Sequence, residues 1–314
     1  MDQWHIPVLL NEAITNLQLK AGDTVIDGTV GGGGHLVAIA KVIGPQGKIL
    51  GFDLDELALQ QARQQIKENK ISPKVTLVKS NFKKLKQKIY DQGITNVDGI
   101  IFDLGLSTGE LKDPKRGFSF TIDAPLDMRF DTAGMIKAAD ILNTWPEKKL
   151  ALLFKENGEE PLARQIAAKI FRQRKIKKLE RTFELVDLIA SVYGAKYNRR
   201  SKSHPATKVF QALRIAVNDE LENLKSVLPD AVDLLNPGRR LAVIAFHSLE
   251  DRIVKNYFRQ ESKDCLCPKQ MPICQCQHKA AIKLITKKPI TPNFDEINQN
   301  PKSRSAKMRV AEKI

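Results

Sequence analysis

The residues best suited to chemistry sit where apolar runs stop. Val25 and Ile26 read as the end of a buried strand, which meets Asp27, Gly28, Thr29 and Val30, then four consecutive glycines, Gly31 to Gly34, then His35. Such a glycine run neither extends a strand nor starts a helix cheaply. Helical spacing resumes over residues 36–43. A strand, a glycine turn and a helix in that order let a ligand approach bare backbone amides at the positive end of the helix. Asp53 closes the next apolar run, residues 48–52, where a carboxylate is placed to grip ribose hydroxyls. The expected ligand is a nucleoside cofactor.

The spacing also bears on which cofactor. G-x-G-x-x-G is not met, because Thr29 and Val30 follow Gly28. Asp27, just ahead of the loop, would repel a pyrophosphate and suits a cationic methionine end. S-adenosylmethionine, with a sulfonium, an amino group, a ribose and no phosphate, is therefore favoured over NAD. A nicotinamide-dependent oxidoreductase is the rival enzyme.

Asp103 ends the apolar run 97–102 and should face the same crevice, since open α/β sheets bind ligands outside the carboxyl ends of their strands. Its carboxylate could accept a hydrogen bond from the exocyclic amine of a base or from the methionine amino group, with Ser107 as its helper. His247 follows another apolar run, 239–246, and is read as facing the crevice, with Ser248 and Asp251 as an N-cap pair.

Further candidates lie between and beyond these tips. Residues 116–130 mix aromatics, Met, Asp and Arg without period, as an ordered binding loop does. Asp127 and Arg129 are read as substrate contacts, while Phe118, Phe120 and Met128 either stack a base or plug a joint between domains. Gln211, Arg214 and Asn218 share one face of a helix expected over 206–228, lining a groove or facing solvent. Cys265, Cys267, Cys274 and Cys276 form C-x-C…C-x-C, a spacing that closes a structural tetrahedral zinc site or leaves four free thiols.

The elements that must position these residues alternate strand and helix as far as Asp103, which means a parallel sheet with right-handed crossovers. From 111 to 204 only helical spacing appears, so an inserted helical domain is expected there, with residues 1–110 and 205–314 forming the core. Alternation in the tail, at 282–285 and 306–310, predicts two closing strands. Fifty-one basic against 36 acidic residues give a net charge of +15, which favours polyanions, and nucleic acid first. Basic runs at 172–178 and 196–202 tilt toward RNA. The start of the chain lacks a signal-peptide pattern and no run is long enough to span a bilayer, so a cytoplasmic protein without membrane contact is expected.

Taken together, His5-Ile6-Pro7-Val8-Leu9-Leu10, Asp27-Gly28-Thr29 with the glycine run, Asp103-Leu104-Gly105, Arg116-Gly117-Phe118-Ser119-Phe120, Leu126-Asp127-Met128-Arg129, His204-Pro205-Ala206-Thr207, residues 210–215, residues 246–252 and Asn300-Pro301 with Arg304-Ser305-Ala306 resemble the RsmH (MraW) family. The resemblance covers nearly the whole chain. It implies a class I, Rossmann-like α/β methyltransferase that depends on S-adenosylmethionine, with an inserted helical domain. The implied reaction methylates N4 of one cytidine in the decoding region (P site) of 16S rRNA, in the small ribosomal subunit or its precursor. Cofactor contacts implied by the matching positions are Gly33, Gly34 and His35, with Asp53 on the ribose and Phe82 beside the adenine. Glu110 stands where the family has a glutamine that resembles a cofactor contact. His204 and Arg252 join the substrate set, and Arg239 replaces a glycine of the usual Pro-Gly-Gly-Arg turn.

Overall fold

The computed structural model describes residues 7–194, 204–268, 271 and 274–314. The chain divides into two compact units, one of Met1–Gly105 with Leu221–Ile314 and one of Leu106–Glu220.

The first unit begins with α1 (Leu10–Leu17), β1 (Thr24–Asp27), α2 (Gly34–Ile43), β2 (Lys48–Asp53), α3 (Glu56–Glu68), β3 (Lys74–Lys79), α4 (Leu85–Tyr90) and β4 (Val97–Asp103). The helical unit holds α5 (Thr108–Lys112), α6 (Ala138–Thr144), α7 (Glu147–Gly158), α8 (Ala163–Gln173), α9 (Thr182–Tyr193) and α10 (Thr207–Asn218). The chain then runs through α11 (Glu220–Leu234), β5 (Leu235–Ala245), α12 (Ser248–Glu261), β6 (Ile282–Leu284), α13 (Phe294–Gln299) and β7 (Lys307–Lys313). The strands form one sheet in the order β3-β2-β1-β4-β5-β7-β6. The first five are parallel, and β7 runs antiparallel to both β5 and β6.

The central strands are apolar on both faces: Ile26 of β1 and Ile100, Ile101 and Phe102 of β4 are fully buried, as helices on both sides of a parallel sheet require. Strand order reverses between β1 and β4. Crossovers on either side of such a point leave in opposite directions, and a crevice opens at the strands' carboxyl ends. Asp27 and Asp103 are the last residues of those two strands.

The helical unit has its own core, in which Val209, Phe210 and Leu213 of α10 pack with Ile141, Phe154, Ile166 and Ile189. Its boundaries therefore lie at 106 and 220, wider than the expected 111 and 204. The single helix expected over 206–228 is two helices, separated at Asp219, whose φ of 51° is left-handed. Its apolar stripe continues in sequence across the break, so periodicity alone hides it. Val209 and Leu213 serve the helical core, while Leu224, Val227 and Leu228 serve the sheet.

β5 starts earlier than expected, and its pairing with β4 shifts register between Val97 and Gly99. The irregularity brings Arg239 onto Asp23 through two hydrogen bonds, of 3.0 and 2.8 Å, and to 3.3 Å from Asp98. This is what the arginine in place of a family glycine does. Asp23 is buried, so removing the guanidinium leaves its charge with the Lys20 amide, at 2.7 Å, in place of an ion partner. Arg239→Met is expected to destabilise the fold by about 3 kcal/mol, read as a lower urea midpoint, with Asp23→Asn in the same chain recovering part of the loss.

Candidate active site

The first unit gathers three carboxylates at adjacent strand tips. Asp27 is buried; its Oδ1 accepts from the Thr29 amide at 3.2 Å, while its Oδ2, also buried, has no hydrogen-bond partner among the described residues. Gly28 follows because a Cβ there would lie 2.2 Å from the Phe102 ring, inside van der Waals contact. Thr29 then turns its hydroxyl to accept from the Asp103 amide at 2.5 Å, tying the tips of β1 and β4.

The glycine run is organised by Asp53. One carboxylate oxygen accepts from the Gly31 amide and the other from the Asp55 amide, both at 2.8 Å. Gly33 caps α2 at φ 87°, a left-handed conformation that other residues adopt only with strain, and Gly34 opens the helix. His35 is buried in its first turn, with Nε2 3.1 Å from the Val8 carbonyl oxygen. A carbonyl only accepts, so Nε2 carries the proton. Its Nδ1 lies 3.7 Å from Oδ2 of Asp103.

Asp103 repeats the pattern of Asp27: its Oδ1 is buried without a hydrogen-bond partner among the described residues. Burial, then the Asp27 charge, then Glu250 push its carboxyl up to about 8. Burial pushes Asp27 up to about 7 and Asp53 up to about 6. Three acids that resist ionisation crowd neighbouring strand tips, where a nearby positive charge would favour their ionised forms. A ligand bearing ammonium and sulfonium groups supplies the missing charge and the missing partners, whereas a pyrophosphate adds repulsion. The residues present therefore fit S-adenosylmethionine.

Phe82 follows β3, where its ring meets Phe102 edge-on, centroids 5.6 Å apart. His247 is itself the N-cap of α12, so the expected Ser248–Asp251 pair is displaced by one residue. Its Nδ1 accepts from the Glu250 amide at 3.4 Å, and Glu250 Oε2 accepts from the amides of Phe246 and His247 at 2.8 and 3.2 Å. His247 thus has a structural task that its sequence position did not suggest. Asp251 pairs with buried Arg309 at 2.6 and 3.2 Å, and Arg252 is exposed on α12.

In the helical unit, Ser107 and Glu110 form the capping box of α5: the Ser107 hydroxyl accepts from the Glu110 amide and Glu110 from the Ser107 amide, at 3.1 and 2.7 Å. Arg129 donates twice to Asp127, each at 2.7 Å, and also to the carbonyls of Thr132 and Gly134. Asn218 clamps the same loop, accepting from the Phe130 amide and donating to the Met128 carbonyl, both at 2.8 Å. Met128 sits between at φ 62°, buried and held in a conformation that costs a non-glycine residue energy.

Arg214 donates twice to Glu220 at 2.8 Å. His204 stacks on Phe120, centroids 4.6 Å apart, while Phe118 stacks on Phe130. Phe118 and Met128 belong to the helical core. The polar groups of 107–130 and 218 thus build a rigid loop first, and any substrate contact uses what that frame leaves exposed.

Arg174 departs from the RNA reading of residues 172–178. It donates to the Leu142 and Trp145 carbonyls at 2.9 and 2.7 Å and lies over Phe171, so it fastens helices. Arg172, Lys175 and Lys178 remain exposed. The basic run 196–202, and His5 and Ile6, lie outside the described residues.

Thr29 and Glu250 escaped the sequence reading. Glu250 had a signal, three residues after a polar strand-end residue, read one position off. Thr29 had none, because its partner is a backbone amide 74 residues away.

A parallel sheet that reverses order between β1 and β4, closes with an antiparallel strand β7 between β5 and β6, and carries buried acids and a glycine turn at its strand tips is that of a class I methyltransferase. The chain belongs to the MraW methylase family, whose sequence profile matches residues 2–314. It is 46% identical to the ribosomal RNA small subunit methyltransferase H of Finegoldia magna over the full length of both chains. Proteins of the same name from Carboxydothermus hydrogenoformans and Heliobacterium mobile are 47% and 48% identical, each covering all of this chain and 99% and 100% of the relative.

Proposed function

We propose that the protein transfers a methyl group from S-adenosylmethionine to the exocyclic N4 of a cytidine in the decoding region (P site) of 16S rRNA, within the cytoplasmic small ribosomal subunit or its precursor. The observation that carries the reading is the pair of buried, partnerless oxygens, Asp27 Oδ2 and Asp103 Oδ1, at the ends of adjacent parallel strands. Asp27 holds the cationic methionine end, Asp53 with the Gly31–Gly34 loop the ribose side, and Phe82 the adenine. When bound, the cofactor supplies an electrophilic methyl group.

A cytosine amine is a poor nucleophile because its lone pair is delocalised into the ring. The protein must hold it in line and accept a hydrogen bond from it, so that electron density builds on the nitrogen as it becomes tetrahedral. Asp103, ionised by the neighbouring cation, accepts from the amine and receives its proton. Attack by an amine needs no covalent enzyme intermediate, and the four cysteines all lie between 265 and 276. The names of the relatives and the net charge of +15 support rRNA as the substrate. His247 acts by fixing the end of β5 through its cap of α12, and Ser107 by capping α5.

Calorimetric titration separates this reading from its rival. S-adenosylmethionine and S-adenosylhomocysteine are expected to bind and NAD to leave no heat; the reverse pattern overturns the proposal.

The helical unit is the RNA-binding part in this account. Arg172→Ala, Lys175→Ala and Lys178→Ala together are expected to weaken RNA binding and reduce its salt slope by about 0.7–0.9 for each phosphate that is no longer neutralised. Cofactor affinity should stay at the wild-type value. An unchanged slope means that these charges are only solvated.

A further inference from the structure

The connection between α12 and β6 leaves and returns at one place: the Ala281 amide donates to the Glu261 carbonyl at 2.8 Å, and the Ala280 amide to Asp264 at 3.3 Å. Its described residues form no helix or strand, and Cys265, Cys274, Cys276, Leu266 and Met271 are all exposed. Apolar burial therefore does not hold this excursion together. Long connections without secondary structure are uncommon in compact domains and are usually functional or linker segments.

At its tip, the sulfurs of Cys265, Cys267, Cys274 and Cys276 all lie within 4.8 Å of one another. Three of the separations are 3.4 Å (265–274), 3.6 Å (274–276) and 3.8 Å (265–276). Metal–sulfur bonds of about 2.3 Å in a regular tetrahedron place the sulfurs about 3.8 Å apart, whereas a disulfide needs about 2.05 Å.

Backbone amides already aim at these sulfurs: Leu266 at Cys276 (3.2 Å), Cys267 at Cys265 (3.4 Å) and Gln275 at Cys267 (3.3 Å). Such donors form the outer layer that stabilises metal-bound thiolates.

We infer that these four cysteines bind one zinc ion as a closed structural site that pins the α12–β6 connection. A tetrahedral all-sulfur set suits zinc, and four protein ligands leave no position for water or substrate. The ion thus takes no part in methyl transfer, and the inference stands apart from the proposed reaction.

Elemental analysis of the full-length protein after dialysis against EDTA tests it without any activity assay. One zinc per chain is expected, released in parallel with titration of four thiols by a mercurial. Cobalt loading should give the intense visible bands of a tetrahedral tetrathiolate. Cys265→Ser with Cys276→Ser should abolish metal retention and expose the 262–281 connection to proteolysis, while S-adenosylmethionine affinity is unchanged. Zinc well below one per chain in protein produced with added zinc, iron in its place, or a mass showing two disulfides overturns the inference.

Discussion

Asp103→Asn should reduce methyl transfer at saturating cofactor by roughly 10²–10³, the scale for removing one preorganised electrostatic interaction. The substitution keeps the shape of the side chain and the hydrogen bond that the backbone amide of residue 103 donates to the Thr29 hydroxyl. It replaces an acceptor by an NH2 group that points a donor at a donor amine. It also removes an acid that burial and the Asp27 charge hold up at about 8, so the fold itself should not suffer. Cofactor affinity is expected to fall much less than the rate. A collapse of affinity, with the rate restored by more cofactor, would place Asp103 on the methionine amino group instead. Near-normal rate and affinity together would reduce it to a loop cap.

Affinity for S-adenosylmethionine should rise with pH between about 6 and 8, by up to about tenfold per unit for each proton released, then level off. The sign follows from the raised acids. Asp27 at about 7 and Asp103 at about 8 hold protons in the free protein near neutrality, and a cation binds best once those protons have left. The apo fold should behave oppositely. Each of these acids, with Asp53 at about 6, titrates near 3.8 when unfolded. Their contribution to stability is therefore full below about 4 and is lost as pH rises through 6 to 8. The acids interact, so titration reports values of the cluster. Asp27→Asn should flatten the lower part of the affinity profile and make the apo protein more stable at pH 8. Calorimetry in two buffers of different ionisation heat reads the released protons directly. An affinity that is flat from pH 6 to 8 contradicts the cluster's role.

The sheet was legible because its strands announce themselves twice, as two-faced apolar runs and by the acids and glycines that end them. Asp27, the glycine turn, Asp53 and Asp103 all stand at the strand tips where the order of elements placed them. What stayed hidden depends on partners distant in sequence. Asn218 reaches the backbone of Met128 and Phe130, and Arg174 reaches carbonyls some thirty residues back, interactions that no local pattern encodes. Asp127 and Arg129 read as binding residues because their types suit binding; the structure shows them paired with each other. The break at Asp219 is concealed by an apolar stripe that two different cores share. At His247 the capping signature was present, but read from the serine because serine is the commoner cap.

The most direct test supplies methyl-labelled S-adenosylmethionine to small-subunit particles lacking the modification, then digests the RNA to nucleosides. Label is expected as N4-methylcytidine at a single decoding-region position, absent with Asp103→Asn. Label on another base or on carbon 5, or no label under conditions where the protein demonstrably binds both cofactor and particle, would contradict it.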